Sequence, residues 1–519
     1  AAGKPVVAAR QLSRAAALAP GSPAVELNRG VVRLMLGQYE EALDSFAEPT
    51  VRQAYPVLAA HNSALALIGL ERLQAALQQL ESGLDHDAKD LGLRNNLACV
   101  CWALGDRPRM VRELSSAAQA GVDDVGILLN LASARVEMGD TAGALEMLRE
   151  VARDRAHDPD VLFAVGTAYL ADALRLYSRQ MNQQARQEFF RALHRCLKPL
   201  ETVATSNADG AVEAAANLAL YRYLRLEFEA AAAGFEAAAA QYPQDGYLRF
   251  CAGTALLEAG LAVQEAHDAD ELVGQARDLL RRARRHLEAA TGLPGADADV
   301  FCNLGICAYN LGDLHDARAA FRRMVQLEES AHAANNLAIA HAREAQKLQH
   351  EARAAALVNR ERERELLQSA QSHISNALEY FGKALEQMRD DPVLHGNIGL
   401  AHMLRNRPGD VEAALGHWQI MQQLGGQAVH RRYEELTALA QDEGAKAAFD
   451  ETIMTFRPLD PSRSLVAMPP RLVGPRYALQ TLAEELDWHL VSTEPAVRDA
   501  LRERERVAGL RKRLARLSL

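Results

Sequence analysis

Apolar side chains recur at intervals of three and four residues along most of this chain, in segments that end at Gly, Asp or Pro. This spacing places the apolar residues on one face of a helix. One such segment, "NNLACVCWALGD" from Asn95 to Asp106, is followed at once by the next, "RPRMVRELSSAAQ". The pattern predicts an all-α protein built from pairs of amphipathic helices joined by short turns.

The same frame returns every 34 residues, which indicates a solenoid. Its anchors are Asn28, Asn62, Asn96 and Asn130, each 34 residues after the last. Two residues after each anchor stands a small residue, and eighteen after it a large apolar one: Phe46, Leu80, Leu114 and Leu148. Fourteen residues after the anchors stand Ala42, Ala76, Met110 and Ala144. Glycines that end the first helix follow at Gly37, Gly105 and Gly139.

This frame resembles the tetratricopeptide repeat, a 34-residue helix-turn-helix unit. The resemblance implies a right-handed α-solenoid, a superhelix of about ten repeats over residues 23–424. The small residue lets helix A and helix B approach closely, and the large residue fills the space opposite. That small position is occupied in all ten repeats, by Gly30, Ala64, Ala98, Ala132, Gly166, Ala219, Gly253, Gly305, Ala338 and Gly399.

Three repeats are enlarged, near 159–210, 246–296 and 331–391, where successive anchors are 53, 52 and 61 residues apart. The third insert contains "EARAAALVNRERERELLQ", whose charge spacing predicts solvated helix. Such inserts either stiffen the solenoid or form a ridge for a partner. Residues 1–22 fit the second half of a truncated repeat, and 425–455 predict further helices. Residues 456–475 form a Pro-rich extended linker, and 476–519 predict helices that cap the solenoid or bind a partner.

Eight of the ten anchors are asparagine: Asn28, Asn62, Asn96, Asn130, Asn217, Asn303, Asn336 and Asn397. Helical geometry places this position away from helix B, on the free face of helix A. In the family resembled here that face lines the concave groove, and similar ladders in O-GlcNAc transferases bind the backbone of an extended peptide. A carboxamide can donate and accept at once, so we predict these eight residues as peptide-binding. Alternatively, neighbouring asparagines hydrogen-bond to each other and set the pitch of the solenoid.

The 519 residues carry a net charge of -10, and their arginines are interspersed with acidic residues, which argues against nucleic-acid binding. No apolar run approaches the ~20 residues of a membrane-spanning helix, so we expect a soluble protein. Six cysteines lie within helical pattern as small apolar fillers, which favours a reducing, cytoplasmic location. The sequence begins with Ala1, so an N-terminal targeting signal is not observable.

No nucleotide-binding, metal-binding or hydrolase motif stands in the sequence, so we predict no catalytic residues, no metal and no cofactor. The sequence therefore favours a non-catalytic scaffold or adaptor of a multi-subunit assembly. Its partners would be other proteins, bound through extended peptide segments in the groove and possibly through the helical inserts. The alternative is a substrate-recruiting arm of an enzyme whose catalytic part lies outside these residues.

Overall fold

A computed structural model describes residues 12–13, 21–120, 124–177, 183–208, 210–266, 270–356 and 358–424, without the side chains of 265–266 and 270–273. Within this part of the chain all regular secondary structure is helical, which confirms the predicted all-α class. The predicted linker and C-terminal helices of 425–519, and nearly all of the truncated first repeat, lie outside the described residues. The described helices are α1 (Pro23–Met35), α2 (Tyr39–Ala47), α3 (Pro49–Ala54), α4 (Pro56–Gly69), α5 (Leu73–His86), α6 (Leu91–Ala103), α7 (Arg107–Gln119), α8 (Val125–Glu137), α9 (Thr141–Asp154), α10 (Pro159–Leu176), α11 (Gln183–Ala204), α12 (Ala211–Leu224), α13 (Phe228–Gln241), α14 (Gly246–Ala266), α15 (Asp270–Thr291), α16 (Ala298–Leu311), α17 (Leu314–Leu327), α18 (Ala331–Ala356), α19 (Arg360–Gln387), α20 (Pro392–Arg405) and α21 (Asp410–Leu424).

Helix A and helix B of one repeat pack together in repeats one to five and seven to ten, and within residues 23–204 and 228–424 helix B also contacts helix A of the following repeat. Repeats one to five are α1/α2, α4/α5, α6/α7, α8/α9 and α10/α11. Repeats six to ten are α12/α13, α14/α15, α16/α17, α18/α19 and α20/α21. The chain divides into two compact units between Tyr221 and Arg222, inside α12, and each unit is a run of such repeats.

Glycine and aspartate shape the turns, for separate reasons. Gly37, Gly105 and Gly139 have φ of +77°, +83° and +81°, a left-handed conformation that glycine adopts without a steric penalty. Asp106 and Asp140 then accept a hydrogen bond from the backbone N–H three residues later, and so cap the following helix. The Gly-Asp pair therefore ends helix A and starts helix B.

In the five repeats that have glycine at the small position, this residue lies directly against a large residue of helix B, as the sequence predicted. A Cβ atom added to Gly30 would lie 2.5 Å from the ring of Phe46, and Gly305 and Gly399 face Phe321 and Trp418 in the same way. The three aromatic side chains are fully buried. The two helices can meet this closely only because glycine has no side chain.

Repeat one departs from the two-helix pattern. Its second helix, α2, stops at Ala47, and a short separate helix, α3, starts at Pro49. Proline lacks a backbone N–H and its ring clashes with the preceding turn, so it suits the first position of a helix better than the interior. The 34-residue spacing is kept because α2 and α3 together span about the length of chain that a single helix B has in the other repeats.

The three enlarged repeats consist of longer helices. Helices α18 and α19 have 26 and 28 residues, against 14 in both α16 and α17. Alanines recur every seven residues on both, at Ala331, Ala338, Ala345 and Ala352 and at Ala370, Ala377 and Ala384. All seven are buried. A seven-residue period keeps one seam facing the partner helix, so this hairpin is a closely packed antiparallel pair along the described length.

Candidate functional site

The asparagine ladder, defined as the eight predicted residues Asn28, Asn62, Asn96, Asn130, Asn217, Asn303, Asn336 and Asn397, lies on the helices A. Every member is buried, with at most 3% of its surface exposed. In the described structure these side chains are thus covered, and their role in peptide binding stays a prediction. Helices A of consecutive repeats, such as α8 and α10 or α18 and α20, contact each other directly and cover this face.

In four repeats the ladder amide interacts with the residue just before the anchor of an earlier repeat. Asn130 Nδ2 donates to Asn95 Oδ1 at 3.0 Å, and Asn397 Nδ2 donates to Asn335 Oδ1 at 3.2 Å. Asn336 Nδ2 lies 3.7 Å from Cys302 Sγ, and Asn96 Nδ2 contacts His61 Nε2. Each of these interactions joins one helix A to the helix A of the preceding repeat.

Repeats five and seven use a second arrangement. Both lack the asparagine, having Ala164 and Cys251 at the anchor, and both carry threonine three residues later. Asn217 Nδ2 donates to Thr167 Oγ1 at 3.1 Å, and Asn303 Nδ2 donates to Thr254 Oγ1 at 2.8 Å. The residue before the anchor and the residue three after it are four apart, hence on the same face of a helix. The threonine hydroxyl thus supplies the acceptor that the residue before the anchor provides in the other repeats.

A second row of contacts joins the helices A near their ends, and the sequence interpretation missed it. Trp102 Nε1 donates to Glu137 Oε1 at 2.6 Å, and Tyr223 Oη donates to Glu258 Oε1 at 3.3 Å. Burial raises the pKa of Glu137, which also pairs with Arg107 at 2.8 Å. In both pairs the aromatic residue stands 35 residues before the carboxylate, one more than the repeat length. This spacing of an aromatic residue and a glutamate is the sequence feature from which the contacts could have been predicted.

The cysteines are packing residues, as predicted for small apolar fillers. None of the six, all within the described residues, belongs to a disulfide. Cys99 Sγ donates to the carbonyl of Asn95 at 2.9 Å. Burial raises the pKa of Cys101 to about 11 and that of Cys302 to about 12, so both remain protonated thiols near neutral pH.

Repeats nine and ten contain two histidine pairs. His341 and His373 meet through their Nδ1 atoms at 2.9 Å, and so do His395 and His417. His395 Nε2 lies 2.8 Å from the carbonyl of Arg389 and donates to it, so its Nδ1 accepts the proton of His417. Burial, together with the neighbouring histidine, lowers the pKa of His341 and of His417 to about 4. His341 and His417 are therefore neutral at physiological pH.

Two properties of the described chain bear on its chemistry. Among the residues that the structure describes, no cluster of three or more histidine, cysteine, aspartate or glutamate side chains could hold a metal ion. Of the helices traced above, none combines the length and the apolar character needed to cross a membrane.

Comparison with known proteins finds likeness only at the level of structure. No protein-family description matches the sequence, and no curated protein does. A tetratricopeptide repeat protein from Parabacteroides merdae is similar over 60% of this chain and 98% of its own, with 13% identity and a TM-score of 0.36. The human IFIT1 dimer with m7Gppp-AAAA is similar over 81% and 94%, with 14% identity and a TM-score of 0.37. Cut9 with Hcn1 from the APC/C is similar over 84% and 93%, with 14% identity and a TM-score of 0.27.

Proposed function

We propose that this chain is a non-catalytic scaffold of a protein assembly, whose partners bind the exposed faces of the enlarged repeats. In this proposal the asparagine ladder has a different purpose, which is to join consecutive repeats. The observation that carries the proposal is the enlarged hairpin of α18 and α19, whose helices are almost twice as long as those of the preceding repeat.

The contacts of the ladder support the joining role. Its amides are buried, and six of the eight have their partner on a helix A of an earlier repeat. A buried amide that loses its partner costs about 1 to 3 kcal/mol, so these bonds specify how one repeat sits on the next. Peptide binding by the same amides remains a prediction, and it requires neighbouring helices A to separate first.

The α18/α19 hairpin contacts α20 along its length and is exposed at its tip. Gln349 Nε2 donates to the carbonyl of Leu404 at 3.1 Å, which fixes the hairpin to the end of α20. At the tip Val358 is 89% exposed, and Leu367, further along α19, is 40% exposed, among arginines and glutamates that face solvent. In this proposal a partner covers these apolar side chains and pairs with the charged ones around them.

The test shortens this repeat to the standard length. Replacing residues 345–373 by the Gly-Asp turn of repeat eight removes 29 residues, adds two, and reduces the anchor spacing from 61 to 34. Because each repeat contacts only its neighbours, the shortened chain should fold. Affinity purification with quantitative mass spectrometry should then show the loss of specific partners.

A matched control shortens repeat seven. Replacing residues 260–279 by Gly-Asp reduces the spacing there from 52 to 34 and leaves repeat nine intact. Partners of the repeat nine hairpin should remain bound to this variant. If both shortened chains retain every partner of the intact chain, the enlarged repeats only stiffen the solenoid. A partner set that includes one catalytic subunit, together with its substrates, would favour the alternative of a substrate-recruiting arm.

A further inference from the structure

We propose that an arginine-lined cavity on α15 binds an acidic peptide segment of a partner protein. This inference rests on the scaffold function and names the chemistry of one of its partners. The cavity has a volume of about 910 Å³ and lies between α15 and the turn from α16 to α17. Its lining comprises Arg277, Asp278, Arg281, Arg282, Arg284, Arg285, Glu288, Leu311 and Asp313.

One arginine of the lining, Arg284, is held in the cavity wall by neighbouring carboxylates. Arg284 contacts Glu288, Asp313 and Asp316 at 2.6, 2.6 and 2.7 Å, and so ties α15 to α17. These carboxylates raise its pKa, so the guanidinium is permanently charged. These ion pairs hold the wall in place between the two helices, which limits the conformational entropy that the protein must lose when a ligand binds there.

Arg282 pairs with Glu236 at 2.9 Å, whereas the other three arginines present their charge to solvent. Arg277, Arg281 and Arg285 are exposed and follow one another at intervals of four residues, on one face of α15. Arg281 pairs with Asp278 at 3.2 Å, but both side chains are more than half exposed. Exposed pairs of this kind contribute little, so a carboxylate from a ligand can replace Asp278 at small cost.

The spacing of these arginines fits an extended peptide. Four residues of helix advance about 6 Å, and two residues of extended chain advance about 6.6 Å. A segment with an acidic residue at every second position can therefore place one carboxylate beside each guanidinium. Arginine forms the strongest contacts with carboxylates, through two parallel N–H donors.

The lining favours a peptide over a nucleic acid. Five arginines against three carboxylates leave a net charge of +2, which suits two or three ligand carboxylates better than a continuous row of phosphates. Single-stranded nucleic acids also bind by stacking their bases on aromatic rings. The lining contains no aromatic residue, and Leu311 is its one apolar side chain.

The experiment measures fluorescence anisotropy of the full chain with a labelled peptide that has glutamate at every second position and serine between. The expected result is saturable binding that weakens as the salt concentration rises from about 50 to about 200 mM. The variant Arg277→Gln/Arg281→Gln/Arg285→Gln should bind at least about tenfold more weakly, since it loses three charge-assisted contacts. Its thermal melt should match that of the wild type, because the three side chains are exposed.

The control variant is Arg112→Gln/Arg149→Gln/Arg153→Gln, which removes the same charge from exposed positions of α7 and α9. It should bind the peptide within about twofold of the wild type, since it leaves the cavity intact. Equal weakening by both variants, or no binding of the peptide to the wild type, would overturn the proposal. So would tighter binding of a single-stranded oligouridine than of the peptide. None of these outcomes depends on the repeat nine hairpin, so they leave the scaffold proposal to its own test.

Discussion

Repeats three and nine share one sequence frame but are held together differently. Repeat three, α6/α7, has two helices of 13 residues, and α6 is buried along nearly its whole length by its neighbours. Repeat nine, α18/α19, has a continuous seam of alanines along its own hairpin, from Ala331 to Ala352. A short repeat thus depends on adjacent repeats for its stability, whereas a long one supplies much of its own packing.

The two kinds of repeat also differ in their buried polar groups. Repeat three presents Asn95 and Asn96 to its two neighbours, and Asn95 accepts from Asn130 of repeat four. In repeat nine the helices continue past the standard repeat length, over residues 345–373. This extension is apolar along the buried alanine seam and polar on its outer side. We infer that joints between short repeats are specified by amide pairing, while the extension adds exposed surface and contacts α20 through Gln349.

The largest expected effect comes from filling the small position of a short repeat. Gly305→Leu would drive a side chain into the ring of Phe321 and should lower the free energy of unfolding by about 3 kcal/mol. Chemical denaturation followed by circular dichroism would measure it. Gly382→Leu is the matched control, because a Cβ at Gly382 on α19 meets nothing within 4 Å. That variant should be neutral or slightly stabilised, and equal losses in both variants would contradict the helix-to-helix contact.

A smaller effect is expected at the joint between repeats three and four. Asn130→Leu removes the donor to Asn95 Oδ1, and the buried acceptor that remains should cost about 2 kcal/mol. The double variant Asn95→Leu/Asn130→Leu removes both partners and should regain most of that loss. Hydrogen exchange on α6 and α8 would locate the change. If the single variant is as stable as the wild type while a bound peptide is lost, the ladder binds ligand.

The smallest effect should appear on acidification, and only in the later repeats. His341 and His417 have pKa values of about 4 in the fold, below the ordinary value of 6.5, so the unfolded chain takes up more protons between these limits. The contribution of these two histidines to the free energy of unfolding is therefore fully present above about pH 6.5 and is lost as the pH drops towards 4. Because solvent screens the partly exposed ring of His417, we expect a loss of only about 1 kcal/mol.

Hydrogen exchange at pH 7 and pH 5 would test this contrast. Protection should fall in α18 to α21, where the histidine pairs lie, and stay constant in α6 and α7, which contain no histidine. His373→Gln and His395→Gln would each remove one pair and should reduce the acid sensitivity. Equal loss of protection in repeat three would show that carboxylates, rather than these histidines, respond to the acid.

The sequence by itself determined the helical class, the repeat length and the contact between the small position and the large residue of helix B. These features depend on local spacing: Gly305 and Phe321 belong to one hairpin, and their separation of 16 residues follows from two short helices and a turn. The turn glycines were predictable for the same reason, since Gly105 and Gly139 stand where a left-handed residue is required.

Only the tertiary structure decided what the asparagines contact. Helical periodicity could show that Asn130 points away from helix B, but it could not show that the next helix A covers that face, because the contact lies between repeats. The exchange of asparagine for threonine at Thr167 and Thr254, and the pairing of histidines 32 residues apart at His341 and His373, are likewise contacts between helices. A one-dimensional pattern fixes the direction of a side chain from its own helix axis, whereas the partner it meets depends on how neighbouring helices pack.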